Sequence, residues 1–169
     1  LDKCIRTMEE TWKLFFNKDN NLLQKNILNI NDLFVSPLEI SDNNIPNGNS
    51  IYLFVCNKLF NITNNKSWYE KKEILSKSFN TFINYNFSQM FSYLKILDIC
   101  EDNITVSLHG KINNEKELIN KILKKIMGNF SIIYKESQED FFAIICKKQT
   151  CSKKLKELSE INDYIKNNL

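Results

Sequence analysis

Glycine is scarce in this chain: Gly48, Gly110 and Gly128 are the only three, each isolated from the others. A phosphate-cradling loop needs several glycines so that backbone N–H groups can approach the anion, which excludes the glycine-rich nucleotide loops. Histidine is scarcer still, with His109 alone. That count closes off a zinc-binding helix with paired histidines, and no nucleophile elbow is present either. The stretch 42–50 is rich in Asn but lacks the alternating carboxylates of a calcium loop. No apolar run approaches the ~18 residues that cross a bilayer. No secretory leader is visible, so the expected compartment rests on cysteine usage instead.

Alanine and arginine occur once each, at Ala143 and Arg6, and there are two prolines. Asn, Lys and Ile are abundant, and their codons are AT-rich where those of the scarce residues are GC-rich. Genomic base bias is the plain explanation, so an Asn or Lys here carries less information than usual. Net charge is +3, too small to imply a nucleic-acid partner by itself. Residues 1–110 hold 11 basic and 12 acidic side chains, and residues 111–169 hold 12 and 8. The basic tilt is C-terminal and modest.

Five cysteines, Cys4, Cys56, Cys100, Cys146 and Cys151, make an odd count with no repeating interval. A disulfide-rich secreted scaffold is denser in Cys and usually even in number. Reduced structural thiols are therefore expected, in a reducing compartment, cytoplasm or nucleus. The sequons at Asn61, Asn86, Asn103 and Asn129 are what chance supplies in so Asn-rich a chain.

What is present is core-forming material: 43% hydrophobic and 12% aromatic residues, enough for one globular domain over 1–169. Residues 2–17 place Ile5, Met8, Trp12, Phe15 and Phe16 on one helical face. A second helix is expected over 20–35, through Leu23, Ile27, Ile30 and Phe34. The loop 36–50 follows, marked by Pro37, Pro46 and the Asn47-Gly48 pair. Residues 51–62 fit a helix capped by Ser50 or a buried strand, and the helix is preferred. From Ser67 to about Tyr93 apolar residues recur at helical spacing through Leu75, Phe79, Phe87, Met90 and Phe91, opened by a Ser67/Glu70 capping box.

After that the period shortens. Residues 94–100 and 104–109 alternate and predict a hairpin, 113–128 a helix ended by Gly128, and 130–136 with 141–148 a second hairpin. Ser152 is placed as the cap of a final helix. The expected class is α+β: N-terminal helices packed on a small antiparallel sheet, in the order three or four helices, ββ-α-ββ, then a helix.

Candidate sites are few. KKQTCSKKLK (147–156) is the one basic run of note, and Lys147, Lys148, Lys153, Lys154 and Lys156 form a candidate face for an anionic partner, nucleic acid or acidic lipid. A charge run of this kind more often keeps a surface wet. Cys151 is a candidate reactive thiol, because nearby lysines and an expected helix N-terminus both lower a thiol pKa. Its interval from Cys146 does not match the Cys-x-x-Cys redox motif. His109, at a strand end, lacks a partner in sequence for acid–base work. No cofactor, metal or catalytic residue is expected, and no small-molecule ligand is indicated.

The small β-β-α units are similar in layout to K-homology-type RNA-binding and replication-initiator domains, although the Gly-x-x-Gly clamp is absent. In order of elements alone, residues 67–148 resemble small vesicle-tethering (TRAPP) subunits, which implies a scaffold role and transfers no residues. The leading expectation is a non-enzymatic protein-interaction or adaptor domain, a subunit of an intracellular assembly. Alternatives are a nucleic-acid-binding module using the C-terminal basic face and a vesicle-tethering-type scaffold subunit.

Overall fold

The computed structural model describes residues 1–27, 38, 40–111, 120, 122, 124, 130–135, 140–147 and 150–168. Mixed helix and strand make it an α+β protein, as composition and periodicity predict. The described residues gather into two compact units, Leu1–Asp98 and Ile99–Leu169.

The first unit opens with α1 (Asp2–Phe15), which carries Ile5, Met8, Trp12 and Phe15 at helical spacing. The helix expected over 20–35 does not start there. Residues 18–21 turn instead, and β1 (Phe16–Asn17) pairs antiparallel with β2 (Leu22–Leu23). The asparagines explain this: Asp19 N donates to Asn17 Oδ1 at 2.8 Å, Leu22 N donates to Asn20 Oδ1 at 3.1 Å, and Asn21 takes a left-handed φ of 56°. Such local side-chain bonds offer the backbone an alternative to helix. Residues 28–35 of that expectation lie outside the described residues.

The preferred helix over 51–62 is present as α2 (Gly48–Thr63), but its cap is Asn47 rather than Ser50. Asn47 Oδ1 accepts from Asn49 N at 2.9 Å and Ser50 N at 3.3 Å. Tyr52, Leu53, Cys56 and Leu59 form its buried face. Next, α3 (Lys66–Asn86) is capped by Asn65, which accepts from Ser67 N at 3.0 Å, so Ser67 is inside the helix and the capping box is not the device used. Lys71 joins α3 to α1. Its Nζ lies 2.7 Å from Glu9 Oε2 and 4.3 Å from the centre of the Trp68 ring, with Trp12 at 5.6 Å on the α1 side. The stem of this lysine is buried while its charge is held by one carboxylate and two aromatic faces.

The long helix expected to reach Tyr93 ends at Asn86. A 3-10 turn (Phe87–Gln89) follows, then α4 (Phe91–Glu101). Residues 94–100 are therefore helix, not the expected strand. Alternation in LKILDIC also satisfies the helical period, because Tyr93, Ile96, Leu97 and Cys100 fall three, one and three residues apart. Burial decides between them: Tyr93 and Ile96 are buried, and the Tyr93 ring stacks on Phe79 at 4.5 Å.

In the second unit the sheet order is β4-β3-β5-β6, with β3 (Ile104–His109), β4 (Phe130–Lys135), β5 (Phe142–Lys147) and β6 (Thr150–Cys151). Neither expected hairpin forms. With 94–100 helical, β3 becomes the central strand; it pairs parallel with β4 from Ile104↔Phe130 to His109↔Lys135, and antiparallel with β5 from Ile104↔Lys147 to His109↔Phe142. The sheet is thus mixed rather than wholly antiparallel. A parallel pair needs a crossover rather than a tight turn. Of the helix expected in that connection, Asn120 and Ile122 are helical and Ile122 is buried; most of 113–128 lies outside the described residues. The element order that resembles the TRAPP layout consequently loses its first strand.

The final helix α5 (Leu158–Asn168) begins six residues after Ser152. Ser152 instead belongs to the sheet: its N–H donates to Ile145 O at 2.8 Å and its Oγ accepts from Ile145 N at 3.0 Å. Leu155 then bridges to Ala143, so strand pairing claims the residues that would have opened a longer helix. Ile161 and Ile165 of α5 join Ile104, Val106, Leu108, Ala143, Ile145 and Leu155 in one core. Ala143, the single alanine, faces this core completely buried.

Candidate functional site

The most exposed apolar chemistry of the first unit lies at the α3–α4 bend. Tyr85, Phe87 and Phe91 are 85%, 62% and 66% exposed, within seven residues of chain. Sequence periodicity assigns Phe87 and Phe91 to a buried stripe, and the structure overturns this. The backbone turns at Asn86–Met90, which rotates these rings outward and leaves Met90 and Tyr93 as the buried residues of the bend. A single exposed aromatic is ordinary; three within one short stretch of chain make the bend a candidate site.

The bend is held from behind. Asp42 N donates to Gln89 O at 2.6 Å, and the Asp42 carboxylate accepts from Ser92 N at 2.6 Å, from Ser92 Oγ and from Asn47 N at 2.8 Å. A carboxylate at the first turn of α4 also complements the positive end of the helix dipole. Partial burial pushes the Asp42 carboxyl up, but the Ser92 and Asn47 hydrogen bonds outweigh it and hold it below its usual value. Tyr93 adds a second anchor, its hydroxyl 2.9 Å from Asn80 Oδ1 and 3.1 Å from Ser76 O. The available sequence signal is the set Asn80, Asn84, Asn86 and Ser88, weak helix formers gathered where α3 stops.

The basic run sits at the other end of the chain's chemistry, in the second unit. Lys153, Lys154 and Lys156 are exposed, Lys147 is half-buried, and Lys148 lies outside the described residues. Lys154 is laid over Phe142, with its Nζ 4.2 Å from the ring centre, and the His109 ring stacks on the same phenyl at 4.6 Å. Glu160 interrupts the basic face. It accepts from Lys156 N at 2.7 Å and Glu157 N at 3.3 Å, and these backbone bonds hold its carboxyl below the usual range. Cys151 is not a free thiol here: it is bonded to Cys146, the residue directly opposite it across β5 and β6. The helix N-terminus invoked to activate it begins only at Leu158.

Two potential nucleophiles in the first unit, Cys56 and Tyr52, are quenched. Burial pushes the Cys56 thiol up to about 12, against an opposing pull from Lys71. Burial likewise raises the Tyr52 hydroxyl far above its ordinary value, and that hydroxyl donates to Met8 O at 2.8 Å. Both stay protonated and structural at neutral pH. Among the described residues no group of three or more His, Cys, Asp and Glu side chains gathers to hold a metal, and no helix is long and apolar enough to cross a membrane. No protein-family model matches the chain, and no characterised protein is found similar to it in sequence.

Proposed function

We propose that this chain is a non-enzymatic interaction module, an adaptor subunit of a larger assembly in the cytoplasm or nucleus. The observation that carries this reading is the aromatic bend: Tyr85, Phe87 and Phe91 stand in water on a backbone fixed by the Asp42–Ser92 clasp. Apolar rings kept exposed on a preorganised support cost solubility and bind a protein surface with little ordering entropy. Cys4, Cys56 and Cys100 form no disulfide, which supports that compartment, whereas the Cys146–Cys151 disulfide departs from the expected reduced thiols and weighs against it.

The test uses a photoreactive phenylalanine analogue at position 87 of the full chain in its native cells. A discrete cross-linked polypeptide is expected, and Tyr85→Ser with Phe91→Ser should reduce its yield at least about tenfold, the size of a hot-spot loss. Absence of any discrete adduct, or equal yield from the double variant, refutes the reading.

A second reading, binding of nucleic acid through the C-terminal face, is favoured by the exposed Lys153, Lys154 and Lys156 at the β5–β6 end. It predicts binding of a labelled single-stranded oligonucleotide that weakens steeply with salt, and a slope reduced by about one per lysine replaced. No anisotropy change at low salt eliminates it.

A further inference from the structure

Among the described residues one disulfide forms, joining Cys146 near the end of β5 to Cys151 of β6. The two cysteines are direct partners in the antiparallel register, with Lys147↔Thr150 the pair beyond them. Their access to solvent differs: Cys151 is exposed, whereas Cys146 is half-buried. Exposed disulfides are the labile ones in thiol–disulfide exchange, because an attacking thiolate must reach a sulfur.

Stabilisation of the fold does not account for this bond. A disulfide acts chiefly by closing a loop in the unfolded chain, and its effect grows with loop length. Here the bonded residues are only five apart in sequence, which places the gain at the low end. Hydrogen bonds already hold the segment that follows. Ser152 shares two with Ile145, at 2.8 and 3.0 Å, and Leu155 exchanges two with Ala143, at 2.7 and 2.9 Å. Ala143, Ile145 and Leu155 are buried in the core of the second unit, and neither cysteine belongs to that cluster. The bond therefore sits outside the packing that keeps β5 and residues 152–155 together.

We infer that Cys146 and Cys151 form a reversible dithiol–disulfide switch, exchanged by low-molecular-weight thiols through the exposed Cys151 sulfur. A thiolate attacks Cys151 Sγ, forms a mixed disulfide there and expels Cys146 as the leaving thiolate. A second thiolate attacks the small sulfur of that mixed disulfide and releases Cys151. Two small thiols are thereby oxidised to one small disulfide, while the protein bond takes up two electrons and two protons. Run backwards from the small disulfide, the same steps close the bond again, with Cys146 as the resolving thiol. Opening it loosens β6 from the end of β5 and leaves Ser152 and Leu155 in place. Such a bond opens under reducing conditions and closes under oxidising ones, which reconciles it with Cys4, Cys56 and Cys100, which form none. The inference rests on neither reading of function above.

The test equilibrates the full chain in glutathione buffers of graded thiol-to-disulfide ratio, alkylates the thiols and maps them by peptide mass. Cys146 and Cys151 should gain label together within that range, and lose it when oxidised glutathione is restored. On reduction, amide exchange should rise at least about tenfold at Thr150 and Cys151, while Ala143, Ile145, Ser152 and Leu155 keep their protection. Two variants identify the entry sulfur. In oxidised glutathione, Cys146→Ser should accumulate a mixed disulfide on Cys151. Cys151→Ser should form one on the half-buried Cys146 about tenfold more slowly. A bond still closed at the most reducing ratio, thiols still open at the most oxidising one, loss of protection throughout the second unit on reduction, or equal adduct rates on the two cysteines would overturn the assignment.

Discussion

Asp42 shows how much one side chain can organise when its acceptors are all in use. Its carboxylate ties the loop before α2 to the first turn of α4, which is fifty residues away in sequence. Because its folded pKa lies below the unfolded value of 3.8, its contribution is fully present above about pH 4 and is lost as pH falls through the lower folded value. Urea midpoints measured from pH 6 down to pH 2 should therefore drop below pH 4. Asp42→Asn should lower the midpoint at pH 6 and flatten that drop, and an unchanged acid profile in the variant would refute the assignment. Nothing in the local sequence SDNN distinguishes this aspartate from a solvated loop residue. A tertiary cap is supplied from outside the helix, so it is invisible to any window that reads the helix alone.

At the scale of elements, caps separate what neighbouring residues reveal from what they disguise. Ser67 and Glu70 look like a capping box, yet Asn65 makes the bond. Asn65→Ala should cost about 1 kcal/mol in denaturant unfolding and Ser67→Ala no more than a few tenths; the reverse order would restore the box. Amphipathic α1, α2 and α3 were legible because each buries a wide stripe at helical spacing. The α4 segment was not, since LKILDIC satisfies a two-residue and a 3.6-residue period at once, and only contact with Phe79 separates them. The same ambiguity hid the aromatic bend. Phe87 and Phe91 keep helical spacing with Phe79 and Phe82, and the break that turns them outward is made by weak helix formers in a chain where Asn is common for other reasons.

For the molecule as a whole, the α+β class and the strand positions 104–109, 130–135 and 142–147 were legible, the first of these strands from alternation, but their pairing was not. Alternation says that a strand has one buried face; it does not name its neighbours. The boundary between the two units, at Asp98 and Ile99, falls inside α4 rather than in a loop. Protease cleavage needs a locally unfolded backbone, so brief digestion of the native chain should leave the bonds within 92–100 intact. A first cut in that segment, read by intact mass, would mean that α4 does not persist across the boundary.

The position of β3 in the middle of its sheet also bears on how the chain is made. This strand leaves the ribosome first; its β4 edge stays bare until Lys135 has followed, twenty-six residues after His109, and its β5 edge until Lys147, thirty-eight residues after. At ~5–20 residues per second the first interval is roughly one to five seconds during which ITVSLH has no strand of its own to join. A nascent-chain chaperone, or a second copy of the same segment on a neighbouring ribosome, has that interval in which to reach it.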